Sequence, residues 1–344
     1  MTERYKIAAL PGEGIGLEVV EATITILQQV AAIHNFQLVV NYGVIGKTAL
    51  KQHGSYFPEA TAKLCSQADG ILFGAVSKGG LLELRKQFDF FINLRPVKIF
   101  PSLINKSSLK RNLLVGVDIL FVRELVSGIY FGKSGREEDD GGSYGYHTMQ
   151  YYDWQIERIA KVALDKARSR KGLLTVAHKE NALPNILWTK LVKAIALNYR
   201  DVTVEPMLVD NLAMQLVIDP QRFDVILAGN MFGDILSDLG GALVGSIGLL
   251  GSASLNEAGF GLYEPIHGTA PDIAGKNWAN PLGTLASAMM MLEQWGELEA
   301  VASLEKVWNK ILTEGYRTRD LYSQNTEILV TTKELVELFT QNLR

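Results

Sequence analysis

Ile7-Ala8-Ala9-Leu10-Pro11-Gly12-Glu13-Gly14-Ile15-Gly16-Leu17 is the stretch on which the fold turns. Four apolar residues in a row suit a strand buried on both faces, as in a parallel sheet. The Pro-Gly pair and the glycines that follow end that strand in a tight loop. Beyond it Val19, Val20, Ile24, Leu27 and Val30 return at helical spacing over 17–33. The rhythm continues with a strand over 36–42, a helix over 59–67 and the apolar strand Gly70-Ile71-Leu72-Phe73-Gly74. The chain therefore reads as α/β, a parallel sheet covered by helices. The GxGxxG dinucleotide fingerprint fails, because Leu17 stands where the third glycine belongs, and no GxxxxGK[ST] phosphate loop occurs.

Working outward, further strands are expected at 113–117, 119–122, 128–131, 173–177, 202–208 and 223–228. Helices are expected at 154–168, 187–199, 284–295, 301–313 and 332–341. Residues 132–145, GKSGREEDDGGSYG, are polar and glycine-rich and read as a loop or protruding arm. A length of 344 residues suggests two domains, at ~150 residues each. A composition that is 47% hydrophobic and 21% charged supports a sizeable core. A formal net charge of -3 argues against non-specific binding to nucleic acid or to membrane surfaces. The lone Cys65 excludes a disulfide within the chain and a cysteine-built zinc site. The first apolar run is too short for a signal peptide, and no run approaches the ~18 apolar residues of a membrane span. A cytoplasmic protein is expected.

Several segments carry chemistry. Arg85 and Arg95 flank the aromatic stretch 88–91, and Arg123 follows the apolar run 119–122. A guanidinium fork matches a carboxylate, and the end of a strand faces a crevice. In Gly229-Asn230-Met231-Phe232-Gly233-Asp234-Ile235-Leu236-Ser237-Asp238, two carboxylates four residues apart share one helix face and repel each other. A hard divalent cation would repair that repulsion, and Asp210, at another strand end, could supply a third carboxylate. Lys179 ends an apolar strand and is a candidate base. Tyr151 and Tyr152 follow the arm and are candidate phenolic acids. The loop Glu264-Pro265-Ile266-His267-Gly268-Thr269-Ala270-Pro271-Asp272 holds an acid suited to a ribose diol. Each residue also has a plainer reading: solvated arginines and lysine, Asp234 capping a helix, and His267 as a structural histidine.

Taken together, the motifs resemble the isocitrate/isopropylmalate (β-decarboxylating) dehydrogenase family, its isopropylmalate members most of all. Gly12-Glu13-Gly14-Ile15-Gly16 resembles the family's GDGIG. Residues 81–86 and 93–97 resemble LLxLRK and NLRPV. Residues 122–132 resemble VRELTGGIYFG, 229–238 resemble GNLFGDILSD, and 264–275 resemble EPVHGSAPDIAG. The resemblance implies two α/β domains sharing a large central sheet, not a classical Rossmann fold. The first would take 1–98 and 246–344, and the second 99–245, with the arm near 132–150 pairing with another subunit. It implies a homodimer with shared active sites, NAD and Mg²⁺ or Mn²⁺ as cofactors, and oxidative decarboxylation of a 3-substituted malate.

Residue by residue, Arg85, Arg95 and Arg123 would clamp the malate carboxylates. Asp234 and Asp238, with Asp210 of the partner subunit, would hold the metal near the substrate. Lys179 of the partner subunit would assist removal of the hydroxyl proton, and Tyr151 would protonate C3. Glu264, His267, Gly268, Thr269, Ala270, Pro271, Asp272 and Asn280 would bind the cofactor, with Asp272 favouring NAD over NADP. The sequence departs from the family before Arg85, where about a dozen residues are missing between Ser77 and Lys78. Lys78, Leu81 and Leu82 then stand nearest the substrate's substituent. 3-Isopropylmalate, a leucine-biosynthesis intermediate, is the first choice. A 3-alkyl- or 3-benzylmalate, homoisocitrate, isocitrate and tartrate are alternatives, as is a non-catalytic regulatory subunit.

Overall fold

The computed structural model describes residues 3–323 and 326–343. The chain divides into two compact units, one of Met1–Phe88, Phe100–Ser108 and Val244–Arg344, the other of Asp89–Ile99 and Leu109–Leu243. The first unit begins with β1 (Arg4–Gly12), α1 (Gly16–Ile33), β2 (Gln37–Tyr42), α2 (Gly46–His53), α3 (Glu59–Ser66), β3 (Gly70–Ala75) and α4 (Leu81–Gln87). The second holds β4 (Ile92–Lys98), α5 (Arg111–Leu114), β5 (Asp118–Glu124), β6 (Ser134–Asp139), β7 (Gly142–His147), α6 (Asp153–Arg168), β8 (Leu173–His178), α7 (Trp188–Ala196), β9 (Thr203–Leu208), α8 (Val209–Ile218), β10 (Val225–Ala228) and α9 (Asn230–Val244). The chain then completes the first unit with β11 (Gly251–Leu255), β12 (Gly261–Pro265), α10 (Leu282–Trp295), α11 (Leu298–Thr313), β13 (Tyr316–Arg317), β14 (Ile328–Leu329) and α12 (Thr332–Asn342).

In the first unit the strand order is β2-β1-β3-β12-β11. β1 runs parallel to β2 and β3, β12 runs parallel to β3, and β11 is antiparallel to β12. All six residues of β3 are buried, which explains its unbroken apolar sequence. Helix α1 covers β1 and β3 and packs on α10 and α12. By length and composition α1 could cross a membrane, with a mean hydropathy of 1.3, but more than half of it is buried within the unit, as befits a core helix.

In the second unit the order is β4-β5-β10-β8-β9. β5, β10, β8 and β9 are parallel neighbours, while β4 runs antiparallel to β5. Both units are therefore mixed, not purely parallel as the βαβ rhythm suggested. The seven-residue ladder between β4 and β5 places β4 in the second unit, and 100–108 belong to the first. The polar arm is an exposed antiparallel hairpin, β6–β7. Two expected strands are absent. Residues 113–117 end helix α5 and turn at Gly116, whose φ is +78, and Gly128–Tyr130 is a 3-10 turn. A short apolar run does not distinguish a buried strand from a buried helical turn.

Candidate active site

The second unit gathers its chemistry at the carboxyl ends of parallel strands, where open α/β sheets bind ligands. β5 and β10 are in register with Arg123 beside Ala228, so Arg123 emerges next to the start of α9. Asp234 and Asp238 lie one turn apart on that helix. Arg123 is almost fully buried. Its Nη1 donates to Asp234 Oδ1, and Nε and Nη2 donate to Asn230 Oδ1 at 3.1 and 2.7 Å. The arginine can cross α9 only because residue 233 is glycine. A Cβ there would meet Arg123 Cγ at 2.7 Å.

Arg95 comes in from β4. Its Nη1 donates to Asp238 Oδ1 at 3.0 Å and to Ser237 Oγ at 2.8 Å, and it lies 3.4 Å from Asp234 Oδ1. Nε donates to Asn93 Oδ1, which aims the fork. Burial and the charge of Asp234 hold the Asp238 carboxyl above the usual range, against the pull of Arg95. Tyr130 completes the cluster. It donates its hydroxyl to Asp234 Oδ2, and its ring lies under the Arg123 guanidinium. Burial and Asp234 push this phenol upward, so it stays protonated.

The expected acid, Tyr151, borders this cluster at the start of α9, where Asn230 links it to Arg123, and burial pushes its phenol upward so that it stays protonated. Its ring is enclosed, edge-on to Trp188, and its oxygen accepts the backbone N–H of Asn230 at 2.8 Å. A side chain at Gly128 would collide with that hydroxyl at 2.3 Å. The tyrosine whose hydroxyl reaches a carboxylate of α9 is Tyr130. The sequence reading quoted it within a motif but gave it no role.

Lys179 follows β8 and Asp210 opens α8. They pair with each other at 2.8 Å across adjacent strand ends, and Lys179 holds the Asp210 carboxyl below its ordinary value. Among the described residues no three acidic, histidine or cysteine side chains converge as a metal site. Asp210 therefore does not join Asp234 and Asp238 within one chain. Those two still fit a hard cation in part: both are oxygen donors, a turn apart on one helix, and neither is closed off from solvent. No third acidic, histidine or cysteine side chain among the described residues completes that shell.

The first unit holds the other expected residues. Arg85, on α4, donates Nη2 to Glu264 Oε1 of β12 at 2.5 Å, with both side chains buried. Its Nε is buried without a hydrogen-bond partner, the signature of a donor awaiting an acceptor. Leu81 is half-buried, and Lys78 and Leu82 are exposed, so Lys78 and Leu82 take no part in the packing of the unit, whereas the neighbouring Leu84 belongs to its core. The turn from β3 to α4 is short and held from below. Glu13 accepts from Ser77 Oγ at 2.6 Å and from Lys47 N at 2.7 Å. Burial raises the Glu13 carboxyl, but these donors outweigh it and keep it low.

The glycine loop supports the loop that follows β12. Ile15 N donates to Thr269 O at 2.9 Å, Glu18 accepts from Gly275 N, and Ile15 and Val19 pack with Ala279 and with Ala270, Ile273 and Ala274. At Gly14 a Cβ would lie 2.0 Å from Thr269 O, so the glycine is required by this contact. Gly268, Pro271 and Asp272 are exposed on the loop. His267 Nε2 is buried and unpartnered, and burial keeps the ring neutral by lowering its pKa. Buried Asn280 donates to Asp320 Oδ2 at 3.0 Å, and Asp320 also accepts from Ser246 and Thr318. Asp320 lies forty residues from Asn280, and the sequence reading missed it.

A sequence profile described as isocitrate/isopropylmalate dehydrogenase matches residues 6–339. The chain belongs to the isocitrate/isopropylmalate dehydrogenase family. It is an oxidoreductase acting on a hydroxyl group. Among family members it is 43% identical over 357 residues to a 3-isopropylmalate dehydrogenase of Aquifex aeolicus, covering 99% of this chain and 98% of that one. It is 43% identical to the chloroplastic 3-isopropylmalate dehydrogenase of Brassica napus, covering 97% of this chain and 86% of that one. The crystal structure of isocitrate dehydrogenase from Methylococcus capsulatus superposes with a TM-score of 0.88 at 29% identity, over 99% of both chains. The Aquifex alignment is longer than this chain of 344 residues, so the family relative has segments that this chain lacks.

Proposed function

We propose that the chain oxidatively decarboxylates 3-isopropylmalate to 4-methyl-2-oxopentanoate, a step of leucine biosynthesis, with NAD as hydride acceptor and Mg²⁺ or Mn²⁺ as metal. The observation that carries this reading is the Arg95–Asp238 and Arg123–Asp234–Tyr130 cluster, in a chain whose relatives are named for this substrate. Asp234 and Asp238 would hold the metal, with Asp210 of a second subunit. When bound, the metal supplies Lewis-acid stabilisation of the negative charge that develops as CO₂ leaves. Bound NAD⁺ would supply the hydride acceptor for oxidation at C2.

The chain's own groups do the rest. Arg95 and Arg123 bind substrate carboxylate, and Arg85 brings a further buried guanidinium whose Nε lacks a partner. Lys179 of a second subunit, beside that subunit's Asp210, assists removal of the hydroxyl proton. Tyr151, kept protonated by burial, gives its proton to C3 after decarboxylation; Tyr130, hydrogen-bonded to Asp234, is the second candidate for that role. The loop at 264–272, with Asn280, takes the cofactor, and exposed Asp272 selects NAD by accepting ribose hydroxyls.

We further propose a cytoplasmic homodimer. Met214, Val217 and Ile218 of α8 and Ile235 of α9 expose large apolar side chains, the pattern of an interface. A bulkier C3 substituent, such as benzyl, is favoured as the second reading by the short turn at 77–80. The test is NADH formation with Mg²⁺ or Mn²⁺ across 3-isopropylmalate, 3-benzylmalate, homoisocitrate, isocitrate and tartrate. The highest kcat/KM with 3-isopropylmalate is expected. Turnover of none of them overturns the enzymatic reading, and a preference for isocitrate overturns the apolar-substituent argument.

A further inference from the structure

Asn230 is fully buried at the first residue of α9, and every hydrogen-bonding position of its side chain is used. Nδ2 donates to Leu125 O and to Ser127 O, both at 2.9 Å. Oδ1 accepts Nε and Nη2 of Arg123. Its backbone N–H donates to Tyr151 Oη. The two carbonyls that receive the amide belong to a turn that is itself fixed by Glu124, whose carboxylate accepts from Val126 N, Ser127 N and Ser127 Oγ. The amide cannot be flipped in this setting, because its NH₂ faces two carbonyls and its oxygen faces two guanidinium N–H groups.

We propose that Asn230 is the positioning residue for Arg123. An arginine side chain has much rotamer freedom to lose, and a carboxylate reads its fork only in one plane. By holding the Nε/Nη2 edge, Asn230 fixes that plane and presents Nη1 on the side of Asp234. In the reaction proposed above, on which this inference rests, that is the side from which Arg123 meets the substrate carboxylate. No other side chain of this size does the same. Aspartate keeps the acceptor for Arg123 but turns an oxygen towards two carbonyls. Leucine keeps the volume and loses all four hydrogen bonds.

The test is a double-mutant cycle on the full-length chain, with 3-isopropylmalate, NAD⁺ and Mg²⁺. Asn230→Ala is expected to lower kcat/KM for the malate ~100-fold, the scale of a misplaced binding group, with KM for NAD⁺ unchanged. Adding Asn230→Ala to Arg123→Lys is expected to cost no further activity, since both remove one function. Asn230→Asp, which keeps the acceptor, is expected to recover part of the loss although its Tm falls too. If Asn230→Ala does not fold, Asn230→Ser replaces it in the cycle. Multiplicative losses, or losses that follow Tm alone in all variants, overturn the inference while leaving the proposed function standing. Failure of the unmutated chain to turn over the malate overturns both.

Discussion

The hydroxyl of Tyr130 lies 3.1 Å from Oδ2 of Asp234, while that of Tyr151 accepts the backbone N–H of Asn230 at 2.8 Å. The two phenols therefore separate by experiment. Tyr151→Phe is expected to lower kcat by ~10²–10⁴-fold, the range for loss of a general acid, and, by leaving a buried N–H unsatisfied, to cost about 1–3 kcal/mol of stability. Tyr130→Phe is expected to leave Tm little changed and kcat within about tenfold of the parent. Steady-state kinetics and thermal unfolding of both variants decide the assignment, and the reverse pattern would make Tyr130 the acid.

Lys179 and Asp210 are paired with each other and do not complete a three-carboxylate site within the chain. If they serve the second subunit, two inactive variants should rescue each other. Lys179→Ala and Asp234→Asn homodimers are each expected to be inactive. In their mixed dimer, one site combines the intact Asp234 of one chain with the intact Lys179 of the other. Co-expression with two affinity tags, followed by isolation of the heterodimer, should give up to half the parental activity. An inactive heterodimer would place Lys179 in its own chain's site.

Asp272 is exposed on the loop after β12, free of packing duties. Asp272→Asn keeps the size and removes the charge that disfavours a 2′-phosphate. The ratio of kcat/KM for NADP to that for NAD should rise at least about tenfold, or ~1.4 kcal/mol. An unchanged ratio would move cofactor selection to another residue.

Glu124 is fully buried, and burial pushes its carboxyl up to about 7, partly opposed by Val126 N–H, the Ser127 hydroxyl and Arg158. Its folded pKa lies above the unfolded value, so the native state holds the extra proton. Stability from this group is present at low pH and falls as pH rises from about 4.5 to about 7. The loss is on the order of 3 kcal/mol at most. Thermal unfolding from pH 5 to 8 should show Tm declining for the parent and a flatter profile for Glu124→Gln. Parallel profiles would show that Glu124 ionises without cost.

The opening strand, loop and helix were legible because an apolar run, a Pro-Gly stop and a helical period agree over one short stretch. β11, Gly-Ser-Ala-Ser-Leu, carries almost none of the usual strand signal. It is a strand because β12 pairs with it and Ser252 Oγ finds Glu264 O, which are long-range facts. In the site, Arg95, Arg123, Asp234 and Asp238 were legible from residue type and spacing, and the structure brings all four together. What Tyr130 and Tyr151 each touch was not, because it depends on which ring packs against the glycines at 128 and 229. Arg85 was legible as a cation, but its buried partner Glu264, 179 residues away, was read as a cofactor ligand.

Strand β3 lies between β1 and β12, with all six of its residues buried. β12 begins at Gly261, long after β3 ends at Ala75, and the entire second unit is made in between. At ~5–20 residues per second, an apolar edge waits roughly ten to forty seconds on the ribosome for its neighbour. Such an edge invites pairing with other nascent chains. The late return of the chain to its first unit thus makes biosynthesis, more than the finished fold, the stage at which this strand edge is open to wrong pairing.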